Sequence, residues 1–345
     1  MSNKINSKNK LDFKDILILA SDTTNITSRS EVDVLDSKAK LPLFTAPMDT
    51  VVNSNNENVF YANGFNVCLP RNEKGETNSF ISYSLKSFNE TFLTDLNVKI
   101  VNVKIKHVLI DTANGHISDM VNSIKEAKKI WGDNMVLMVG NVANPKTYVK
   151  LSEAGADLIR LGVGNGGGCL TTQQTGVGYP MASLISETYQ ESCKLNNPAK
   201  IVADGGMKSY SDIIKAIGLG ADYVMLGSIL NKTLESCGDN YLFNRIPITQ
   251  KGADKGYRLG FNIYKKFRGM STKEVQKEWG NKVLKTSEGV VRYQKVEYTV
   301  EGWVNNFIHY LRSAMSYVDA KNLDEFRLKC KFIEISNNAY KRFNK

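Results

Sequence analysis

Two stretches of the sequence have the same form and decide the fold: NPKTYVKLSEAGADLIRLG (144–162) and SYSDIIKAIGLGADYVMLG (209–227). Each opens with residues that favour a helix start, continues as a helical pattern, ends at Gly-Ala-Asp and runs directly into a short apolar stretch. A helix that closes at glycine and leads into a buried strand is one unit of a parallel α/β sheet. Repetition of this unit predicts a parallel sheet covered by helices.

Short apolar runs of the same kind recur from residue 41 onward. Eight can be counted, of which the third is the weakest: 41–47, 65–70, 99–105, 107–113, 134–142, 156–164, 200–206 and 221–228. Eight parallel strands alternating with helices make a (β/α)8 TIM barrel, and this is the fold class that we predict. An open, doubly wound α/β sheet is the alternative that the pattern leaves.

The length of 345 residues and the apolar content of 42% suit one large barrel. We therefore expect a single catalytic domain over residues 1–345, opened by an N-terminal segment at 1–40. After Ser228 the repeating pattern stops, and polar sequence follows until the helical stretch at 303–318. Long irregular segments in compact domains usually carry function, so residues 236–300 are predicted to be a mobile flap over the open end of the barrel, followed by a C-terminal helix.

Composition argues against several classes of protein. No apolar run approaches the roughly 20 residues that span a bilayer, and the polar start has no apolar stretch behind its lysines, so we expect a cytoplasmic protein without membrane contact. The five cysteines form no CxxC pair, which argues against a disulfide framework or a zinc site. The net charge of +10 is spread along the chain, so we expect a phosphorylated small molecule as partner, and no nucleic acid.

The segment GVGNGGGCLTT (162–172), here called the cysteine loop, follows the sixth apolar run. Five of the seven residues before Cys169 are glycines, which predicts a turn whose N–H groups point inward. Such N–H dipoles favour a thiolate, the nucleophilic form of cysteine, and the Thr171 hydroxyl lies near enough in sequence to pass a proton. The alternative is that Cys169 is a small buried apolar residue beneath a glycine turn.

Two further glycine-containing loops follow the seventh and eighth runs. Ala203-Asp204-Gly205-Gly206 and Gly227-Ser228 occupy the loops that commonly bind phosphate in such barrels. The Asp204 carboxylate would repel a phosphate, so we expect it to accept hydrogen bonds from sugar hydroxyls. The alternative is that these glycines only permit tight turns.

Histidine offers few candidates for acid/base chemistry, since the chain has three. His309 lies in the predicted final helix and is expected to be structural. His116 follows a strand end, where it either faces the site or opens a helix. Acid/base chemistry is therefore expected from a carboxylate, and Glu288 in KTSEGVVRY (285–293) is one candidate.

Taken together, these motifs resemble the IMP dehydrogenase and GMP reductase family from about residue 11 to residue 325. The resemblance rests on the N-terminal segment 11–34, APMDTVV (46–52), the cysteine loop, VADGG (202–206), VMLGS (224–228) and FRGMS (267–271). Three segments are similar to the reductase branch: DTANGH (111–116), TGVGYP (175–180) and RSAMSYVDAKNL (312–323). The chain also has too few residues to hold the regulatory repeats that most dehydrogenases insert.

The resemblance implies that Cys169 attacks C2 of the purine of GMP, that Thr171 and Glu288 move protons, and that NADPH reduces the adduct to IMP after ammonia leaves. The implied substrate-binding residues are Asp204, Gly206, Gly227 and Ser228 for the phosphate, and Met270, Ser271, Lys285 and Gly289 for the base. The implied cofactor contacts are Asp111 and Ala113. Carbonyl groups of Gly164, Gly166 and Cys169 match a site for a monovalent cation such as K⁺. Family members are usually homotetramers.

The chain departs from the family pattern at several positions. Leu69-Pro70-Arg71 stands where reductases usually have a His-Lys-His cluster near the cofactor. In the cysteine loop, Asn165 and Gly167 replace the usual Pro and Ser, and Leu170 replaces Thr. Lys285 replaces an arginine, and a lysine offers a point-like donor instead of a planar fork. The departures therefore concern the redox step and the preference for the base more than the thiol chemistry.

Two other functions remain open on the sequence. An IMP dehydrogenase without regulatory repeats would need a water activated by an Arg-Tyr pair, and Arg292-Tyr293 follows Glu288 where the family pair precedes it, so we interpret the pair as coincidental. A purine-nucleotide-binding protein without turnover is the second alternative. Retention of Cys169, Thr171 and Glu288 together argues against it.

Overall fold

The computed structural model describes residues 5, 8–75, 78–94, 105–278, 286 and 288–343. The chain enters through strand β1 (Ile16–Leu19) and then forms eight strands that belong to one sheet. These are β2 (Leu43–Thr45), β3 (Cys68–Leu69), β4 (Phe80–Tyr83), β5 (Lys106–Asp111), β6 (Met135–Val142), β7 (Leu158–Leu161), β8 (Lys200–Asp204) and β9 (Tyr223–Leu226).

The eight strands form a closed barrel. Their order is β2-β9-β8-β7-β6-β5-β4-β3, and every neighbouring pair is parallel. The two end strands meet through a parallel bridge between Phe44 and Asn66. There the Thr45 N–H donates to the Asn66 carbonyl at 3.1 Å, and the Asn66 N–H donates to the Leu43 carbonyl at 2.9 Å. The predicted (β/α)8 barrel is confirmed, and the open sheet is excluded.

One strand of the barrel is not among the eight that the sequence pattern predicted. The third position in the barrel belongs to β4, which pairs with β3 at Cys68 and Phe80 and with β5 at Ile81 and Val108. The predicted run 99–105 falls outside the described residues except for its last residue. Because β4 has only four residues and contains Ser82, it lacks the apolar run by which a buried strand is found. The Ser82 hydroxyl is satisfied inside the protein by donating to the Leu69 carbonyl at 2.7 Å.

Helices follow most of the barrel strands: α1 (Glu57–Ala62), α2 (Leu85–Phe92), α3 (Ser118–Trp131), α4 (Pro145–Glu153), α5 (Thr171–Thr175), α6 (Met181–Ser192), α7 (Tyr210–Leu219) and α8 (Ser228–Asn231). The two repeated units start as predicted. The Asn144 side chain accepts from the Lys146 N–H with Pro145 in the first turn, and Ser209 forms a reciprocal cap with Asp212. None of the helices in the described ranges is long and apolar enough to cross a membrane.

Alternation along the strands divides the apolar side chains into two cores. Side chains such as Ile159 and Leu161 pack outward against the helices. A smaller cluster fills the barrel: Phe44, Ala46, Cys68, Phe80, Leu109, Met138, Leu158, Val202 and Met225. Two residues further along their strands, the side chains of Asp111, Arg160 and Asp204 share the inward orientation of Leu109, Leu158 and Val202. A polar layer therefore lies above an apolar floor, toward the carboxyl ends of the strands.

The segment 236–300, here called the flap segment, contains regular structure that the sequence pattern did not predict. Strands β10 (Asn240–Leu242), β11 (Ile246–Ile248), β12 (Tyr264–Arg268) and β13 (Val291–Lys295) form an antiparallel sheet in the order β11-β10-β12-β13. Helices α9 (Gln250–Arg258) and α10 (Lys273–Glu278) complete its described part. Its mobility stays a prediction.

The predicted C-terminal helix is α11 (Val300–Tyr317), and the chain continues beyond it. Helix α12 (Leu323–Lys329), strand β14 (Lys331–Glu334) and helix α13 (Asn337–Phe343) follow. Strand β14 pairs antiparallel with β1, with Ile16 opposite Glu334. The two ends of the described chain are thus joined in a two-stranded sheet outside the barrel.

Candidate active site

Three predicted catalytic side chains form one chain of hydrogen bonds. The Cys169 thiol donates to the Thr171 hydroxyl with 3.2 Å between Sγ and Oγ1. The Thr171 hydroxyl in turn donates to the Glu288 carboxylate through a short hydrogen bond. All three residues are partly exposed. The arrangement connects a thiol to a carboxylate through one hydroxyl, which is the geometry that a proton relay needs.

Glu288 reaches the cysteine loop because the two backbones pair like strands. The Leu170 N–H donates to the Glu288 carbonyl at 2.7 Å, and the Val290 N–H donates to the Gly168 carbonyl at 3.1 Å. Between them, Cys169 and Gly289 form an antiparallel bridge. The relay therefore depends on contact between the barrel and the flap segment.

Glycine permits this contact at Gly269, and at Gly289 it permits close packing within the flap segment. A Cβ at Gly269 would lie 2.3 Å from the Gly168 carbonyl oxygen, and one at Gly289 would lie 2.8 Å from the Thr272 methyl group. The Gly269 N–H also donates to the Val290 carbonyl at 3.0 Å. The predicted base-binding residues Met270 and Ser271 follow Gly269 directly and so begin beside Gly289. Lys285, the fourth of them, lies outside the described residues.

The first turn of the cysteine loop is equally constrained. Gly164 has φ +77°, and a Cβ there would lie 1.8 Å from the Thr172 hydroxyl. The Gly166 carbonyl accepts a hydrogen bond from the Cys169 N–H at 3.0 Å. The carbonyl oxygens of Gly164, Gly166 and Cys169 are of the type that K⁺ prefers. Among the residues that the structure describes, no group of three or more His, Cys, Asp or Glu side chains is arranged to hold a metal ion.

A cavity of about 420 Å³ opens next to the predicted phosphate loops and is called here the Ser228 cavity. The residues that line it are Asn165, Gly167, Gly206, Met207, Lys208, Ser228, Ile229, Lys232, Arg292, Tyr293, Gln294 and Lys295. It thus contains two of the four predicted phosphate residues, and Gly227 immediately precedes Ser228. Four of the lining side chains are cationic and none is anionic, so the cavity suits an anion.

Arg160 joins the predicted cofactor site to the predicted substrate site, and the sequence analysis missed it. Its guanidinium donates to Asp111 at 2.6 Å and to Asp204 at 2.7 Å. Asn141 also donates to Oδ2 of Asp204, at 2.7 Å. The Arg160 side chain is only 7% exposed, and the two carboxylates raise the pKa of its guanidinium against the opposing effect of burial. An arginine inside the apolar run LIRL (158–161) is the signal that could have identified it.

Comparison with known proteins supports one family. The model of the IMP dehydrogenase / GMP reductase domain matches residues 90–344. A GMP reductase of Buchnera aphidicola subsp. Schizaphis graminum is 30% identical over 360 aligned positions, covering 97% of this chain and 97% of that protein. GMP reductase 2 of Bos taurus is 30% identical, covering 96% and 95%, and a GMP reductase of Phytophthora infestans is 29% identical, covering 99% and 95%. The chain belongs to the IMP dehydrogenase / GMP reductase family.

One departure from the family pattern places an arginine at the predicted cofactor site. Arg71, in the segment that replaces the family's His-Lys-His cluster, donates to the Asp111 carbonyl, and its guanidinium lies 3.9 Å from the Asp111 carboxylate. Asp111 therefore has arginines on two sides. Ala113 is exposed on the loop that follows. Arg71, whose side chain is 24% exposed, is the cation of this site that an anionic diphosphate of a dinucleotide can reach.

The histidines have structural positions within this family fold. Nε2 of His116 accepts from the Ala143 N–H at 3.1 Å, so its Nδ1 is the protonated nitrogen and donates to the Thr147 hydroxyl at 2.9 Å. Burial lowers the pKa of His116, which keeps the ring neutral. The ring thus joins the loop after β5 to the start of α4. His309 is exposed on α11.

Proposed function

We propose that the chain is a GMP reductase, which converts GMP, NADPH and a proton to IMP, NADP⁺ and ammonia. The hydrogen-bonded chain Cys169–Thr171–Glu288 is the observation that carries the proposal, because it places a thiol, a hydroxyl and a carboxylate in the order that proton transfer requires. Relatives that are named GMP reductase and align along nearly the whole chain support it.

In the first half of the proposed reaction, the sulfur of Cys169 adds to C2 of the guanine ring. The thiol proton passes through Thr171 toward Glu288 and is returned to the departing amino group. Ammonia leaves, and the purine stays bound to Cys169 as a thioimidate. Covalent attachment divides a difficult displacement into two easier steps.

In the second half, NADPH supplies a hydride to C2 when it is bound. Asp111, Ala113 and Arg71 are the residues that would hold this cofactor beside the substrate. The C2–S bond breaks, IMP is released, and Cys169 takes up a proton through the same relay. Both halves need the flap segment in contact with the cysteine loop, so we also propose that residues 236–300 open for exchange of substrate and product.

The geometry supports a division of the substrate site into three parts. Oδ2 of Asp204 already accepts from Arg160 and Asn141, so Oδ1 is available to sugar hydroxyls. The Ser228 cavity is the proposed phosphate site, with donors at Gly206, Gly227 and Ser228. The base would lie between Cys169 and the segment that contains Met270, Ser271 and Gly289, with Lys285 as its fourth contact.

We propose a homotetramer and a K⁺ site at the carbonyls of Gly164, Gly166 and Cys169. Large apolar side chains exposed on the flap segment support self-association: Phe243, Ile246, Leu259 and Phe261. Sedimentation velocity tests the assembly. Comparing turnover in K⁺ with turnover in a bulky organic cation at equal ionic strength tests the cation site, and equal rates would contradict it.

The deciding experiment mixes the purified protein with GMP and NADPH and follows the absorbance of reduced nicotinamide, with Cys169→Ala as the control. We expect NADPH oxidation, ammonia and IMP from the wild type and none from the variant. Formation of XMP from IMP and NAD, with no activity on GMP, would establish the dehydrogenase instead. Binding of GMP without turnover in either assay would favour the non-catalytic alternative.

A further inference from the structure

Arg292 lies on strand β13 at the Ser228 cavity, where sequence reasoning had assigned it no role. Its neighbour Gln294 faces the same side of the strand, since side chains alternate along a strand. Gln294 donates to the Ser228 carbonyl at 3.3 Å and to the Asn231 side chain at 2.8 Å. This pair of bonds attaches β13 to α8 and directs Arg292 toward the Ser228 side chain.

The opposite face of the same strand has a separate environment. Tyr293 packs edge-on against Tyr241 with 5.0 Å between ring centroids, and the guanidinium of Arg245 lies 4.6 Å from the Tyr293 ring. Alternation thus places Arg292 and Tyr293 on different sides of β13. Both residues nevertheless contribute to the lining of the Ser228 cavity.

Gly167 provides the space that the Arg292 guanidinium occupies. A Cβ at Gly167 would lie 3.1 Å from Nη2 of Arg292 and 3.3 Å from Oγ of Ser228. A larger side chain at residue 167 would therefore press against both the guanidinium and the serine hydroxyl. The guanidinium also lies over the Phe267 ring, 4.8 Å from its centroid, which holds it in place by cation–π attraction.

The phosphate loops by themselves lack a positive charge. Gly206, Gly227 and Ser228 offer only neutral donors, while Arg160 is occupied by Asp111 and Asp204. Of the other cations that line the Ser228 cavity, Lys232 pairs with Glu297 at 2.9 Å, whereas Lys208 and Lys295 are exposed and offer ammonium groups that act as point charges. Arg292 has no carboxylate partner among the described residues, and it lies beside the Ser228 hydroxyl. A phosphate dianion is bound most strongly by a guanidinium, which can donate two parallel hydrogen bonds.

We propose that Arg292 binds the 5′-phosphate of the substrate nucleotide and so determines the preference for nucleotide over nucleoside. The inference rests on the proposed function only in taking guanine as the base of the substrate nucleotide. In this proposal Gly167, which stands where the family usually has a serine, is linked to Arg292. The glycine leaves room for the guanidinium that binds the phosphate.

The test compares binding of GMP with binding of guanosine by calorimetry in the wild type, Arg292→Gln and Arg292→Lys. Loss of a hydrogen-bonded ion pair predicts GMP affinity about 10- to 100-fold lower in Arg292→Gln, with guanosine affinity unchanged. Arg292→Lys should recover part of the loss. Arg258→Gln, an exposed arginine on α9 in the same segment, is the matched control and should leave both affinities unchanged.

Equal losses for GMP and guanosine would overturn the proposal, because they would show a general effect on the flap segment. Reduced kcat for any nucleotide with unchanged affinity would overturn it too, since that is the result for a residue that activates water. If the wild type neither binds nor converts GMP, the proposed function fails independently. In that case the affinity for inorganic phosphate tests the role of Arg292. A lower affinity in Arg292→Gln would support the phosphate site, and an unchanged affinity would overturn it.

Discussion

At the scale of single residues, the centre of the site is a threonine. Thr171 accepts from Cys169 and donates to Glu288, so its hydroxyl provides the hydrogen-bonded path for a proton between them among the described residues. Valine has nearly the same shape but neither donates nor accepts. We expect Thr171→Val to lower kcat for GMP by about 100-fold or more, the usual magnitude of lost acid/base catalysis. Thr171→Ser keeps the hydroxyl and should retain most of the rate; a valine variant with wild-type kcat would contradict the relay.

Arg160 is the residue whose loss should affect stability and binding together. Arg160→Met would leave the largely buried Asp204 carboxylate without a cation and would leave Asp111 with Arg71 alone. Breaking a buried ion pair from one side costs about 3–5 kcal/mol, so we expect a decrease of that size in the free energy of unfolding measured in urea. The KM values for GMP and NADPH should both increase.

The control for Arg160 is an ion pair on the surface. Lys194→Met breaks the exposed pair with Glu191, which should change the free energy of unfolding by less than about 1 kcal/mol. Equal effects of the two substitutions would show that the buried network contributes no more than a surface pair.

At the scale of elements, we expect the pairing of residues 288–290 with the cysteine loop to affect turnover without affecting the stability of the barrel. A methyl group at Gly289 would lie 3.1 Å from the Thr272 backbone nitrogen and 2.8 Å from its methyl group, so Gly289→Ala should shift residues 288–290 relative to Thr272 and disturb their pairing with the cysteine loop. We expect kcat to decrease about 10-fold or more while the unfolding midpoint of the barrel is retained. Gly252→Ala on α9 has its nearest neighbour at 3.5 Å and should change neither quantity.

Lys265 makes the stability of the flap sheet depend on pH. Its side chain is fully buried on β12, where it donates to the Ser236 carbonyl and to Gln250, and burial lowers the pKa of Lys265 to about 8. Between pH 8 and the ordinary lysine value near 10.5, the unfolded chain therefore binds more protons than the folded chain, and stability increases with pH.

The measurement is a series of urea titrations of the wild type and Lys265→Met from pH 7 to pH 10. The wild type should gain stability relative to the variant as the pH rises through about 8 to 10, because the cost of burying the charge disappears. A stability difference that is constant across this range would show that the lysine titrates normally.

At the scale of the whole molecule, β1 and β14 hold the two ends of the chain together. Ile16 is fully buried, and the Ile335 N–H donates to the Asp15 carbonyl at 2.8 Å beside this sheet. Truncation after Cys330 removes β14 and should lower the free energy of unfolding by about 2 kcal/mol through loss of apolar burial. Truncation after Ser336 removes only α13, which has no buried residue, and should cost less than about 0.5 kcal/mol. Equal costs would show that β14 contributes nothing beyond the tail.

Much of the barrel could be predicted because the sequence patterns that indicate its helices and strands lie within short stretches of the chain. The helix caps at Asn144 and Ser209 and seven of the eight strands have patterns that lie within a few residues. Strand β4 was missed for the opposite reason: its place in the sheet depends on pairing with β3 and β5, and its own four residues do not resemble a buried strand.

Local sequence patterns were enough to predict the class of fold, the glycine-rich cysteine loop and the two loops that flank the Ser228 cavity, since periodicity and the conformational freedom of glycine act between neighbours in the chain. The tertiary structure alone decided that Glu288 meets Thr171, that Arg160 lies between Asp111 and Asp204, and that Arg292 faces Ser228. These contacts join residues 44 to 117 positions apart. No local pattern encodes them, because they depend on how the strands are arranged around the barrel and on where the flap sheet packs.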